Sequence, residues 1–361
     1  MNRITKPVLS SLTALLMVAP VHNQQRRTVD KQSQVIRLST ELVTVDAQVL
    51  NKKAGHSIGG LRQEDFEIQD DGVTQTISYF SQDSLPISAV LLFDLTDTVR
   101  PVLKELAASA ARALRHLKPE DEVAVMVYAA SAHVIQGFTR DRQLAVDAIS
   151  KASGMESREA AFFNEAAYQA AAQLSHAANP WNRRVIIWFT DGVPNIPTQR
   201  MQSTYGKSLP KGSLHTEGQA TNELYELGGV VCSLIIHGPM TEMVDLVENK
   251  NPIALILSKR HPPGNVYKYA EETGGEVIRA RNDEIGRRLA ELVDNLRTRY
   301  SLGYVPSNGG NDRKFHRIKV RLSSQADKRE GGTVVKARKG YVRESEPSQT
   351  KETLSGSVSG L

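Results

Sequence analysis

Two acidic turns carry residue types that could bind a metal ion. The first, Asp94-Leu95-Thr96-Asp97-Thr98, places one carboxylate and two hydroxyls on alternate residues. The second, Thr190-Asp191-Gly192, adds another carboxylate much later in the chain. Oxygen ligands with few carboxylates suit a hard divalent ion such as Mg²⁺, which takes about six oxygens near 2.1 Å and keeps some waters. The spacing therefore predicts a magnesium site, with Ca²⁺ or Mn²⁺ as alternatives, made by Asp94, Thr96, Thr98 and Asp191.

The segments before these turns are typical of buried parallel strands. Residues 87–93 and 185–189 are near-continuous apolar runs, which favour strands covered on both faces. Because helical patterns of ten or more residues alternate with such strands, we expect an α/β fold. The predicted architecture is a doubly wound, mostly parallel sheet with helices on both faces and small β segments before and after it. Ligands of such sheets bind beyond the carboxyl ends of the strands, where both acidic turns lie.

The elements follow from local patterns of apolar residues and turn formers. Asp70-Asp71-Gly72 is a strong hairpin turn signal. Strands are predicted at 42–49, 65–69, 73–80, 87–93, 123–128, 185–189, 230–236, 276–279, 300–304, 315–322 and 334–338. Helices are predicted at about 100–117, 141–152, 162–177, 216–227, 267–273 and 283–297.

These elements divide the chain into five segments. We expect a signal peptide at 1–25, a small β module at 36–83, an α/β domain at 85–300, a C-terminal β segment at 301–343 and a disordered tail at 344–361. The two β segments flank the α/β domain. The sequence leaves open whether they pack together.

The N-terminus has the order of features found in secretory signal peptides. Arg3 and Lys6 precede a short apolar run at 8–19, and a polar segment follows at 23–27. A weakly helical or disordered N-terminus is the alternative. No stretch reaches the roughly 18 apolar residues of a membrane-spanning helix. We therefore expect an exported protein of the periplasm, cell envelope or exterior, with no transmembrane segment in the mature chain.

Charge and cysteine content restrict the function further. Positive charge is concentrated at 313–343, which holds eleven Lys or Arg and two acids, whereas the whole chain has a net charge of +5. An anionic surface could bind there, but sparse aromatic residues favour the solvated face of a β module, and no nucleic acid is expected as a partner. Cys232, the single cysteine, lies in an apolar run, which indicates a buried structural thiol.

Four further segments, taken with the two turns, resemble a known family. They are residues 64–72, 85–94, 270–276 and 296–304. Their order and spacing resemble the bacterial, acidobacterial-type von Willebrand factor A-related proteins over about residues 36–343. In von Willebrand factor A domains an Asp-x-Ser-x-Ser turn and a distant Asp-Gly turn form the metal-ion-dependent adhesion site. The resemblance implies a non-enzymatic binding or adhesion module, with the metal shell completed by an acidic side chain of a protein or cell-surface partner.

The resemblance assigns roles only where positions match. Asp94 matches the leading carboxylate, and Thr96 and Thr98 stand where the family has serines. Asp191 matches the carboxylate that usually acts through water. Ala161 falls near the second-loop threonine that coordinates the metal, and an alanine supplies no oxygen. We therefore expect weak Mg²⁺ binding or none, unless the loop substitutes an oxygen of Ser157, Asn164 or Glu165.

Three other interpretations remain open. Asp94 and Asp191 could simply cap the helices that follow them. The protein could be a metal-independent scaffold or assembly protein of the envelope. It could also resemble the haloacid dehalogenase-like phosphotransferases, with Asp94 as the nucleophile, although Thr96 then stands where the second carboxylate belongs. The sequence contains no Gly-x-Ser-x-Gly elbow, His-Glu-x-x-His helix or phosphate-binding loop.

Overall fold

A computed structural model describes most of the two β segments and the α/β domain. The described residues are 42–82, 85–95, 99, 103–104, 114, 117–155, 157, 161–192, 214–236, 266–307 and 314–342. The predicted signal peptide and C-terminal tail, most of the helix predicted at 100–117, and both Thr96 and Thr98 lie outside them.

The described residues form fourteen strands and six α-helices. The strands are β1 Val43–Asn51, β2 Phe66–Asp70, β3 Val73–Gln75, β4 Ile77–Ser81, β5 Ile87–Asp94, β6 Glu122–Tyr128, β7 Ala132–Thr139, β8 Arg183–Thr190, β9 Val230–Ile236, β10 Val277–Ala280, β11 Tyr300–Tyr304, β12 Phe315–Leu322, β13 Thr333–Ala337 and β14 Gly340–Val342. The helices are α1 Arg142–Ser153, α2 Phe163–Leu174, α3 Glu217–Leu227, α4 Val266–Thr273, α5 Ile285–Arg297 and α6 Ser324–Arg329. Among these helices, none combines the length and apolar character that a bilayer crossing requires.

The central sheet has six strands in the order β10-β9-β8-β5-β6-β7. Its strands are parallel except for the edge strand β7, which is antiparallel to β6. All eight residues of β5 are buried, as its apolar sequence requires of a strand covered on both faces. Leu91 and Phe93 belong to an apolar cluster that includes residues of α1 and α5. Val90 and Leu92 belong to a second cluster, with α2, α3 and α4. The prediction of a doubly wound α/β sheet with helices on both faces is confirmed.

Helix ends follow the local sequence. Asp141 precedes α1, and its side chain accepts hydrogen bonds from the free backbone N–H groups of the first turn. Thr216 and Gln219 form a reciprocal capping box at the start of α3, and Gly228 ends that helix with φ 65°. The helix predicted at about 216–227 is thus found within a residue of its predicted limits.

Two antiparallel sheets form what we call the β module. One has the order β13-β1-β11-β4 and the other β14-β12-β2-β3. Each combines strands from before and after the α/β domain, and apolar side chains from both sheets share one cluster, to which Val45, Ile68, Leu302 and Ile318 belong. The α/β domain is thus inserted between two halves of the β module. The predicted segment boundaries stay predictions, but the two β segments share their sheets.

Three local features differ from the sequence predictions. The strand predicted at 73–80 is two strands, β3 and β4, which separate at Thr76 and join different sheets. Strand β7 was not predicted, because an edge strand that contains His133, Gln136 and Gly137 lacks a regular apolar alternation. Helix α6 and strand β14 were also missed, since both are short.

Acidic residues of other elements pair with part of the basic 313–343 segment. Arg321 on β12 forms an ion pair with Glu67 on β2, the neighbouring strand. Arg329 on α6 pairs with Asp65, and Lys339 pairs with Glu271 of α4. These pairs reduce the net positive charge that the β module presents to solvent.

A buried ion pair joins the β module to the central sheet. Arg183 is the first residue of β8, and its side chain is fully buried. Its Nε donates to Oδ2 of Asp46 on β1 at 2.9 Å, and its Nη2 donates to Oδ1 at 3.3 Å. Ser301 on β11 donates its hydroxyl to the same Oδ1 at 2.9 Å. The carboxylate therefore holds together three strands from two sheets.

Candidate metal-binding site at the carboxyl edge of the central sheet

Asp94 lies where the order of the central sheet changes direction. It is the last residue of β5, which has β6 on one side and β8 on the other. The chain therefore leaves β5 towards one side of the sheet and later returns on the opposite side. Crevices at such points are the usual ligand sites of open α/β sheets. The first acidic turn thus begins at the position where the topology favours binding.

Two hydroxyl groups fix the carboxylate of Asp94. Tyr128, the last residue of β6 and its register partner, donates its hydroxyl to Oδ2 at 2.9 Å. Thr190, the last residue of β8, donates Oγ1 to the same oxygen at 3.1 Å. Asp94 is 1% exposed, so the burial of this charge is offset by hydrogen bonds from both neighbouring strands. The carboxylate is held in one orientation.

Tyr128 is a permanent donor to this carboxylate. Burial, followed by the nearby charge of Asp94, raises the pKa of Tyr128 well above its ordinary value. Trp188 donates its Nε1–H to the Tyr128 hydroxyl at 3.0 Å, and the two rings pack edge to face at 5.7 Å. A chain of hydrogen bonds therefore runs from Trp188 through Tyr128 to Asp94, beneath the edge of the sheet.

The second acidic turn begins directly beside this carboxylate. Gly192 has φ 76° and donates its backbone N–H to Oγ1 of Thr190 at 3.1 Å. A side chain at Gly192 would be strained at this φ and would also approach Ile235 to 3.1 Å. Asp191, between the two, is half-buried. The tight turn thus keeps Asp191 at the carboxyl end of β8, next to the strand that ends in Asp94.

Among the described residues of the second loop, Ala161, which stands near the expected threonine, has no side-chain oxygen. Ala161 is fully buried and belongs to the apolar cluster of α2. Asn164, one possible substitute, accepts a hydrogen bond from the Tyr269 hydroxyl on its Oδ1 at 2.8 Å. Glu165, another, is buried and accepts bonds on both oxygens, from Gln169 and from the backbone N–H of His215. Ser157 lies six residues before α2 begins and is half-buried.

The described residues fit a divalent ion only in part. Asp94 and Asp191 supply carboxylates at two adjacent strand ends. The side chains of Asn164 and Glu165 are committed to other partners, and Ala161 has no donor. An ion at this edge would depend on water for more of its ligands than Mg²⁺ in a complete site. Loss of one protein oxygen lowers the expected affinity and loosens the geometry.

Asp94 and Cys232, whose side chains belong to types that can act as nucleophiles, are both buried. Asp94 is 1% exposed, and its Oδ2 already accepts hydrogen bonds from two hydroxyls. Cys232 on β9 is fully buried, and burial raises the pKa of its thiol to about 12. The predicted structural thiol is therefore found as a neutral side chain of the core.

Several residues of this edge were missed from the sequence. In the sequence, Tyr128 and Trp188 look like ordinary strand residues. An apolar run does not show whether an aromatic side chain only fills the core or also supports a carboxylate. Thr190 stands next to Asp191, and its hydroxyl gave a weak signal at the end of the strand. The contact of Glu165 with His215 links positions 50 residues apart and had no sequence signal.

Comparison with known proteins identifies the domain type. Residues 89–193 match the family model of the von Willebrand factor type A domain. Among curated proteins, none matches the sequence. Similar solved structures include the conserved hypothetical protein BatB from Bacteroides thetaiotaomicron, with 15% identity, coverage of 58% of this chain and 98% of that chain, and a TM-score of 0.38.

Two further solved structures extend the comparison. A von Willebrand factor type A protein from Catenulispora acidiphila has 12% identity, covers 83% of this chain and 74% of that chain, and gives a TM-score of 0.40. Proximal thread matrix protein 1 from the mussel byssus, with a zinc-occupied MIDAS motif, has 12% identity, coverage of 63% and 49%, and a TM-score of 0.39. The residues that match the von Willebrand factor type A domain model, 89–193, contain most of β5, all of β6 to β8 and both acidic turns.

Proposed function

We propose that this protein is a non-catalytic binding module of the cell envelope or exterior, which holds a protein or surface partner at the carboxyl edge of its central sheet. The observation that carries the proposal is the carboxylate of Asp94, buried at the switch point and fixed by the hydroxyls of Tyr128 and Thr190. A charge that is costly to bury and held in one orientation is typical of a functional site.

In this proposal a divalent ion binds weakly at the carboxyl edge of the central sheet. Mg²⁺ is the expected ion, with Ca²⁺ or Mn²⁺ as alternatives. Asp94 would hold it directly and Asp191 through water, with the hydroxyls of Thr96 and Thr98 as the remaining protein ligands. The ion would supply an electrophilic centre for an acidic side chain of the partner. The chain's own contribution is a preoriented carboxylate, which its hydrogen bonds keep from rotating.

Ala161 offers a direct test of the metal, because threonine and valine have nearly the same shape and only threonine has an oxygen. Both Ala161→Thr and Ala161→Val overfill a fully buried position, and each should lower the free energy of unfolding by about 1–3 kcal/mol. Only Ala161→Thr should tighten Mg²⁺ binding in calorimetry, by about tenfold or more, the scale of single supporting residues at metal sites. Equal affinity of the two variants would contradict the assigned position of the missing ligand.

The wild-type titration tests the weak-binding proposal itself. We expect Mg²⁺ affinity weaker than micromolar. Micromolar affinity in wild type that Asp94→Ala abolishes would show a complete site and overturn this version. Asp147→Ala, on the exposed face of α1, is the matched control for loss of one acidic charge.

A second candidate function is a metal-independent scaffold of the envelope. It is favoured by the apolar packing of Ala161 and by the hydroxyl bonds that already satisfy Oδ2 of Asp94. Recovery of partners from an envelope extract, with Mg²⁺ and with EDTA, separates the two. Loss of the same partner in EDTA and in Asp94→Ala supports metal-dependent binding. Equal recovery in all three supports the scaffold.

A further inference from the structure

A second cluster of metal-ligand side chains lies in the β module, away from the strand ends of the central sheet. Asp70 ends β2, Asp71 begins the β2–β3 turn, and His316 lies on β12. One potential ligand atom from each lies within 4.8 Å of the other two. Nδ1 of His316 is 2.9 Å from Oδ2 of Asp71 and 4.0 Å from Oδ1 of Asp70. Two carboxylates and one imidazole therefore converge.

The hairpin turn explains how two neighbouring residues converge. Successive side chains of a strand point to opposite faces, so Asp70 and Asp71 would diverge in a regular strand. Asp71 instead has φ 48° and Gly72 has φ 83°, the left-handed pair of a tight hairpin turn. The backbone N–H of Arg317 donates to Oδ1 of Asp71 at 2.9 Å, and the N–H of Asp71 donates to the carbonyl of Arg317. The Asp71 carboxylate is thus fixed beside β12.

An unsatisfied buried oxygen is the independent sign of a ligand. Asp70 is 3% exposed, and its Oδ2 accepts hydrogen bonds from the hydroxyls of Tyr304 at 3.0 Å and Tyr341 at 2.9 Å. Its Oδ1, which faces His316, accepts none within the described parts of the chain. A buried acceptor without a partner costs about 1–3 kcal/mol, more when charged. A bound cation would remove that cost.

The distances suit an ion of the zinc class. Donors about 2.1 Å from one ion lie roughly 3–4 Å from each other, and the 2.9 and 4.0 Å separations agree with this spacing. Mixed imidazole and carboxylate donors favour Zn²⁺ and related ions over Mg²⁺. The hydroxyls of Tyr304 and Tyr341 would orient the Asp70 carboxylate, as outer hydrogen bonds do at metal sites. We propose that Asp70, Asp71 and His316 bind a divalent transition-metal ion of the zinc class.

Access and charge agree with this assignment. The side chain of Asp71 is 44% exposed, while those of His316 and Asp70 are 11% and 4% exposed. An ion would therefore enter past Asp71 and keep a water on that side. The rival explanation is a simple hydrogen bond between His316 and Asp71. That bond leaves Oδ1 of Asp70 buried and unsatisfied, whereas an ion serves all three side chains.

The test is a Zn²⁺ titration of the metal-free full chain by calorimetry, with Co²⁺ absorption as a second readout of imidazole ligation. Wild type should show a saturable site that His316→Ala removes. Asp71→Asn, at an exposed turn position, should weaken it by about tenfold or more even if His316→Ala folds poorly. Tyr341→Phe should weaken it by about tenfold through the loss of one supporting bond.

Two controls separate this site from others in the chain. His56→Ala removes an exposed histidine of the same module and should leave Zn²⁺ affinity unchanged. Asp94→Asn should also leave it unchanged, which distinguishes this site from the edge of the central sheet. Absence of saturable Zn²⁺ binding in wild type would overturn the proposal. So would wild-type affinity in both His316→Ala and Asp71→Asn.

Discussion

The ion pair between Asp46 and Arg183 should carry much of the stability of the contact between the β module and the central sheet. Asp46→Asn keeps the shape of the side chain but removes its charge. The guanidinium of Arg183, fully buried, then loses its counter-charge, and its remaining partners, the Leu296 carbonyl and the Ser301 hydroxyl, are neutral. Removal of one partner from a buried pair costs about 3–5 kcal/mol. Because the Asp46 side chain is 22% exposed, we expect the lower end, about 3 kcal/mol.

The matched control is an ion pair of the same type on the surface. Arg321 and Glu67 also bond through nitrogen and carboxylate, but their side chains are 52% and 36% exposed. Glu67→Gln should therefore cost no more than about 1 kcal/mol. Urea denaturation of both variants measures the two free energies of unfolding. A cost for Asp46→Asn as small as that for Glu67→Gln would refute the reasoning.

Two further measurements assign the effect to the pair. The double variant Asp46→Asn with Arg183→Met should lose less stability than the sum of the single variants, by about 1–3 kcal/mol. Burial alone would raise the pKa of Asp46, but the charge and hydrogen bonds of Arg183 outweigh it and hold that pKa below its ordinary value of 3.8. The ion pair therefore stabilises the folded protein fully above pH 3.8. This stabilisation is lost as the pH falls through the lowered pKa that Asp46 has in the folded protein. The difference between wild type and Asp46→Asn should shrink in acid.

Other variants test the core and the site. Tyr128→Phe should cost about 1–3 kcal/mol in urea denaturation, since it leaves Oδ2 of Asp94 with one bond fewer; an unchanged midpoint would contradict this. Cys232 should resist alkylation at pH 8 until the protein unfolds, because burial raises its pKa to about 12; labelling of the folded chain would oppose this. Gly275→Ala places a Cβ 1.9 Å from a β9 carbonyl oxygen and should lower the melting temperature sharply, whereas Gly137→Ala, with open space around it, should not.

The fold could be predicted because its main signals are local. The apolar run of β5 followed by Asp94, and the Asp70-Asp71-Gly72 turn, each determine a structure within a few residues. The helix predicted at about 216–227 lies within a residue of α3, Glu217–Leu227. A periodic pattern and a capping residue act within one turn or one strand, so the sequence alone is enough to find them.

The contacts that complete the sites could not be predicted in this way. His316 meets Asp71 across 245 residues, and Tyr304 meets Asp70 across 234. Nothing in the local sequence of His316 distinguishes it from a surface histidine, because its neighbours are supplied by strand pairing. The assignment of Asp94, Thr96, Thr98 and Asp191 as metal ligands stays a prediction, as does the acidobacterial-type subgroup.

The insertion of the α/β domain into the β module has a consequence for synthesis. Asp46 and Ser301, partners in one hydrogen bond, are 255 residues apart. At about 5–20 residues per second, β1 would leave the ribosome roughly 13–50 s before β11 exists. During that interval β1 and β4 lack the strand that lies between them, and their edges can pair with other chains. Export in an unfolded state, or a chaperone on the nascent chain, would protect these strands until their partner arrives.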